Sequence, residues 1–277
     1  MCWSHQLPRG STLRAIEGQT CAESWLDALD YLLGCRWHEQ HNLILEVARP
    51  ADRLDRDRYI LGIVDRFLID HGSQPLSTVA ETIFPGAEYR RSGVRGVYEI
   101  YPDEIYPLIK LPHEWGRYAH RLIRKSSPHG GEINPLKIAV EKLRSQIENR
   151  QRKRSCYELS LSEGALDLPL YEANDDCRRV RGGPCLSHVS LKLGRTNNLY
   201  LTAQYRSHYY MARTLGNLIG LAMLQAFVCE QTGLAPGPLV CVSTFAHVDT
   251  ELWNLSEVRE LVTNLRTGLS ATNGDAS

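Results

Sequence analysis

The segment from about His208 to Glu230 constrains this chain most, because it reads as a helix that is apolar nearly all round. Met211, Leu215, Leu218, Ile219, Ala222 and Ala226 fill one face, and Leu221, Leu224 and Val228 fill the side that also carries Asn217. Such a helix is buried. Gly216, Asn217, Gly220 and Gln225 interrupt the apolar run, which falls short of the roughly 20 residues a membrane span needs. Strand-like segments flank it: Cys185 to Leu193 and Leu199 to Tyr205 around the turn Gly194 to Asn198, and Leu239 to Phe245 beyond. Ser155 to Leu161 and Asn42 to Val47 are further strand candidates. Helical periodicity marks Glu23 to Leu33, Asp52 to Asp70, Glu114 to Arg124, Pro135 to Ile147 and Leu255 to Leu265. Glycine, proline and arginine are frequent from Phe84 to Pro112, which reads as mainly loop, and Ser270 to Ser277 reads as a polar tail. No repeat or linker divides residues 1 to 277, so the expectation is one α+β domain with a polar end from about Gly268.

Thirty-two basic residues balance thirty-two acidic ones. No global positive field is available for a nucleic-acid polymer, although a local cluster can still hold one phosphate. The first residues carry no basic region followed by an apolar one, and the eight cysteines form no C-x-x-C pair. The expectations are a cytoplasmic protein with reduced thiols, no membrane partner and no bound metal.

Three features carry chemistry. Ser207 follows Arg206 where the helix is expected to begin, and free N–H groups beside a guanidinium suit a phosphate; the alternative is a serine cap next to a surface arginine. Asn217, buried on the helix, needs a partner, either backbone or a ligand such as a pyrimidine edge. Ten residues separate Ser207 from Asn217, roughly 15 Å along a helix, which side chains shorten to nucleotide size. Gly182-Gly183-Pro184-Cys185 then presents a thiol at the start of a strand, where the competing reading is a small buried hydrophobe.

Together, Pro184-Cys185, Arg206-Ser207, Asn217 and His247 resemble the signature of the thymidylate synthase and pyrimidine nucleotide hydroxymethylase superfamily. The spacings are 21, 11 and 30 positions from Cys185 to Arg206, Asn217 and His247 in turn. Upstream, Trp115-Gly116-Arg117-Tyr118-Ala119-His120-Arg121 resembles a weakened form of a family segment. Arg152, Lys153 and Arg154 lie where the family has arginines that reach a partner subunit's nucleotide phosphate, and Glu81 falls near the position of its catalytic glutamate.

The resemblance implies a three-layer α+β fold whose large mixed sheet packs back to back in a homodimer. It also implies C5 one-carbon transfer, methylation or hydroxymethylation, to a pyrimidine nucleoside monophosphate. Cys185 would add to C6, Asn217 would orient the ring, and Arg206 and Ser207 would hold the phosphate. The implied cofactor is 5,10-methylenetetrahydrofolate.

Departures from the pattern argue against an orthodox thymidylate synthase. Tyr209 replaces an aspartate that contacts the pterin, and Asp249 replaces a tyrosine at the sugar. Two residues after His247, Asp249 is expected on the same strand face, accepting from sugar hydroxyls, unless it caps the following segment. The alternative function is a nucleotide-binding protein without folate-dependent turnover.

Overall fold

The structure is a computed structural model that describes residues 13–110, 117–127, 130–149, 153, 157–161 and 184–274. Its first elements are strand β1 (Arg14–Gly18), helix α1 (Cys21–Gly34) and strand β2 (Glu39–Val47). A helical tract follows: α2 (Asp55–Asp70), α3 (Leu76–Glu81), α4 (Gly86–Arg95), a π-helical stretch over Gly96–Ile105, α5 (Tyr106–Ile109) and α6 (Tyr118–Ile123). A small hairpin, β3 (Lys125–Ser126) with β4 (Glu132–Ile133), leads to α7 (Pro135–Glu148). Then come β5 (Glu158–Ser160), β6 (Leu186–Leu193), β7 (Asn198–Tyr205), β8 (His208–Tyr209), α8 (Thr214–Thr232), β9 (Ala235–His247) and α9 (Leu255–Gly274).

Seven strands form one mixed sheet in the order β1-β2-β9-β7-β6-β5, with β8 beside the end of β9. Strand β9 runs antiparallel to β2 and parallel to β7. Side chains alternate, as a pleated strand requires. Leu43, Leu45 and Val47 of β2, Leu199, Leu201, Ala203 and Tyr205 of β7, and Leu239, Cys241 and Ser243 of β9 are buried. Glu46, Tyr200 and Gln204 project from the opposite, open face. Helices α1 and α8 pack on the buried face, and α2, α3 and α9 pack outside them, giving three tiers. Among the described residues no helix is long and apolar enough to cross a membrane.

Local chemistry sets these elements. Thr20 Oγ1 accepts from Glu23 N at the start of α1 and donates to buried Asp57 Oδ1 (2.6 Å), whose other oxygen accepts from Leu54 N (2.8 Å) at the start of α2. One buried pair thus caps two helices and ties their ends together. Gly216 and Gly220 lie one turn apart on the face of α8 that meets α3. A Cβ at Gly216 would come within 2.6 Å of Val79 Cβ, so only glycine permits this approach.

Gln225, fully buried in α8, donates from Nε2 to Leu199 O (2.7 Å) and Gly237 O (2.9 Å), where the register between β7 and β9 shifts. Gln225→Leu strips both carbonyls of a donor and should cost about 2 kcal/mol, the scale of leaving buried acceptors unpaired. Urea denaturation measures it, and an unchanged midpoint would contradict this role.

The structure corrects three sequence expectations. Phe84 to Pro112 is not mainly loop, since helix runs from Gly86 to Ile109. Phe84, Tyr89 and Tyr98 pack on Phe227 with ring centroids 5.0–5.7 Å apart. That burial overrides the glycines and prolines: Gly93 takes the break in α4 at φ +61° and Pro107 sits in the first turn of α5, where no N–H is needed. The apolar helix starts at Thr214, not His208, because residues 208 and 209 pair with β9 as β8. Finally, the expected polar tail continues α9 to Gly274. Arg266, pairing with Asp27 and Asp30 of α1, anchors the last turns.

Candidate active site

The hairpin of β6 and β7 brings Cys185 and Arg206 together, with Arg206 N donating to Cys185 O (2.9 Å). From the first turn of α6, the Tyr118 hydroxyl accepts from Cys185 N (3.1 Å) and Leu186 N (3.4 Å), fixing the backbone that carries the thiol. Cys185 is half-buried. Burial pushes its thiol up, while the guanidiniums of Arg206 and Arg213 pull it down, and burial wins. Arg206 therefore favours the thiolate but does not outweigh desolvation. Tyr118 is pushed up to about 12, chiefly by burial and then by the Cys185 charge, so it stays a neutral phenol.

Arg213 escaped the sequence reading. It sits one turn before Asn217, whose N–H donates to Arg213 O (2.9 Å), and its guanidinium donates to Gln74 Oε1 (2.8 Å). The signal available was its i−4 position relative to Asn217, which places it at the helix start.

Ser207 lies in a bend after β7, half-buried, and is no helix cap. The chain from 208 to 213 is held otherwise. Asp249 accepts from Met211 N (2.9 Å) and Ala212 N (3.2 and 3.3 Å), and Thr214 Oγ1 donates to Tyr209 O. The helix-terminus argument for a phosphate therefore lapses, and the case for an anion rests on the arginines. Strand β9 ends at His247, so Asp249 does not share its face; the carboxylate turns back to cap the segment before α8. Burial raises its pKa, and the Met211 and Ala212 amides oppose that shift.

Asn217 is buried, as expected, and its partner is a side chain: Nδ2 lies 2.9 Å from Nε2 of buried His208. His247 packs edge-on to Tyr209 at 4.7 Å, and its buried Nδ1 has no hydrogen-bond partner.

Glu81 stands apart. Its Oε1 accepts from Ala87 N (2.8 Å) in the first turn of α4, and burial raises its pKa against the pull of that amide and of Arg90. It is close to Gly86, which faces Met223, six residues and about 9 Å along α8 from Asn217. Arg152 and Arg154 lie outside the described residues. Lys153 is exposed, and its N–H donates to Gln146 Oε1 at the end of α7.

Burial lowers the His208 pKa from 6.5 to about 3, with His247 adding to it. The unfolded chain thus binds a proton that the folded chain refuses, and stability falls as pH drops from about 6.5 towards 3. Between pH 7 and pH 5 one such site removes about 2 kcal/mol. Urea titrations at both pH values should show this loss in the wild type and a smaller one in His208→Gln; equal losses would contradict the assignment.

No protein-family model matches the chain. Curated proteins similar to it carry the name "Putative thymidylate synthase". One from Methanosarcina mazei is 27% identical over 127 residues, 46% of this chain and 51% of that protein. Another from Methanococcoides burtonii is 34% identical over 74 residues, 27% of this chain and 34% of that protein. A third, from Methanosarcina acetivorans, is 33% identical over 79 residues, 28% and 36% of the two chains. The chain thus spans about half the length, or less, of the curated relatives it matches. On these matches the chain is a divergent, thymidylate-synthase-like relative of those proteins.

Proposed function

We propose that this protein activates C5 of a pyrimidine nucleoside monophosphate for one-carbon transfer through a covalent adduct of Cys185. The observation that carries the reading is the half-buried Cys185 thiol under the electrostatic pull of both Arg206 and Arg213, with its backbone N–H held by Tyr118. The thiolate adds to C6, and the C5–C6 π electrons move onto C5 and O4 as an enolate. Asn217, on the 3,4 edge of the ring, stabilises that charge, and Arg206, with Ser207 beside it, holds the phosphate. His247, at the end of β9, is the candidate for the sugar. The C5 carbanion bonds to an electrophilic one-carbon unit as the donor's carbon–heteroatom π pair moves onto the heteroatom; loss of the C5 proton and elimination of the thiolate then restore the ring, and release of the unit from its donor is the donor's own chemistry.

5,10-Methylenetetrahydrofolate, the donor that the resemblance implies, is poorly matched by the residues present. Tyr209 stands in place of the pterin-binding aspartate with its ring against His247, and the nearby Asp249 carboxylate is taken up by backbone amides. The chain's own residues account for activating C5, and the donor is a question for titration. Calorimetry with pyrimidine mono-, di- and triphosphates, with and without methylenetetrahydrofolate, should give tightest binding to a monophosphate. Absence of nucleotide binding would sink the proposal. The burial that keeps Cys185 protonated favours a second reading, a nucleotide binder without turnover, for which C5 chemistry would be absent despite binding.

The open sheet face, with half-buried Val240 and Val242 on β9, supports a back-to-back homodimer. Arg152, Lys153 and Arg154 would then serve the partner's site. Mixing a Cys185→Ala chain with one neutralised at those three positions should restore one working site per mixed dimer. A monomer by sedimentation, or no recovery, would count against it.

A further inference from the structure

His208 in β8 is held on every side. Its ring lies flat on Tyr205, with centroids 3.9 Å apart and planes 4° apart, and meets Tyr210 edge-on at 5.5 Å. Nδ1 is 3.0 Å from Ser243 Oγ, and Nε2 is 2.9 Å from Asn217 Nδ2. Ser243 Oγ lies 3.2 Å from the Tyr210 hydroxyl, and Trp25 Nε1 donates to Tyr210 O (2.7 Å). All five residues are buried. The ring is therefore neutral and carries one N–H.

A neutral imidazole donates from one nitrogen and accepts at the other. With Asn217 Nδ2 donating to Nε2, the proton sits on Nδ1 and goes to Ser243 Oγ. The amide then turns its oxygen and its second N–H away from His208, as an acceptor and a donor in fixed order. Turning the amide end for end reverses that order, and it requires the proton on Nε2 and Ser243 as donor to Nδ1. Uracil and cytosine differ in this same respect. Uracil presents N3–H beside an accepting O4, whereas cytosine presents an accepting N3 beside a donating 4-amino group. With C6 fixed at Cys185, each amide order fits one of the two bases and leaves the other with facing donors or facing acceptors.

We propose that His208 is a positioning residue: accepting at Nε2 from Asn217 Nδ2 and donating from Nδ1 to Ser243 Oγ, it holds the Asn217 amide in one order and so makes the site choose between uracil and cytosine nucleotides. This rests on the reading of the site as one for pyrimidine nucleotides. An imidazole placed between an amide and a hydroxyl acts through its tautomer, which a hydrocarbon filling the same space could not do.

The test is calorimetric affinity for UMP and CMP in the wild type, His208→Leu, His208→Gln and Ser243→Ala, with long-range ¹H–¹⁵N spectra of the wild-type histidines. The wild type should prefer one base at least tenfold and show His208 as the Nδ1–H tautomer. His208→Leu should bring the two affinities within about threefold. His208→Gln, whose amide oxygen can accept from Asn217, should recover most of the preference. Ser243→Ala should weaken the preference, and it decides the matter if His208→Leu does not fold. Equal wild-type affinities, an Nε2–H tautomer, or a preference unchanged in the variants would overturn the inference. A folded wild type that binds neither nucleotide would overturn the reading of the site itself.

Discussion

Cys185→Ala is expected to lower turnover at C5 at least a thousandfold while leaving nucleotide affinity within about tenfold of wild type. The nucleophile forms its bond on the way to the adduct, so its loss falls on the barrier rather than on ground-state binding. Single-turnover kinetics and calorimetry on one preparation separate the two quantities. A tenfold loss of rate, or a parallel collapse of affinity, would remove Cys185 from the chemical step. Burial holds the thiol above its ordinary range. The thiolate fraction, and with it the rate, should therefore rise as pH increases through the alkaline range. Arg213→Ala removes one of the two charges that oppose burial, so it should move that rising limb to higher pH.

Arg206→Ala is expected to weaken binding of a nucleoside monophosphate by about 30-fold, or about 2 kcal/mol, the scale of a charge-assisted hydrogen bond to phosphate. The corresponding nucleoside should bind almost unchanged. Because the helix begins at Thr214, the N-terminal dipole of α8 is not aimed at Ser207, and the arginines carry the anion site. Comparing nucleotide with nucleoside on wild type and variant decides this, and an equal loss for both ligands would contradict it.

Much of the frame was legible because local pattern and tertiary role agree. The burial of α8 followed from its apolar circumference, and β6 and β7 followed from alternation around a Gly-Arg-Thr-Asn turn. What escaped was decided by contacts distant in sequence. Residues 208 and 209 pair with β9, and Asp249 supplies the cap that delays the helix; neither is visible in a window of ten residues. The tract from Gly86 to Ile109 carries glycine and proline that signal loop, yet its tyrosines find Phe227 more than a hundred residues later.

The site divides the same way. Cys185, Arg206 and Asn217 stood out by spacing, and the fold joins the first two directly through the β6–β7 hairpin. Arg213 drew no attention because it looks ordinary in sequence, and His208 suggested at most a weak His/Cys metal site with Cys185 and His188 rather than a partner for Asn217. Their significance comes from the guanidinium near the thiol and the imidazole against the buried amide.

Hydrogen exchange at C5 tests the central claim most directly. UMP, dUMP, CMP and dCMP are incubated in D₂O with wild type and with Cys185→Ala, without any one-carbon donor, and H5 is followed by proton NMR. Addition of the thiolate at C6 makes C5 basic, so it takes a deuteron, loses its proton and returns the nucleotide on elimination. The account predicts that H5 of at least one nucleotide disappears with wild type and persists at the uncatalysed rate with Cys185→Ala. Persistence of H5 in all four nucleotides at saturating concentration and alkaline pH, or equal exchange by the variant, would contradict it.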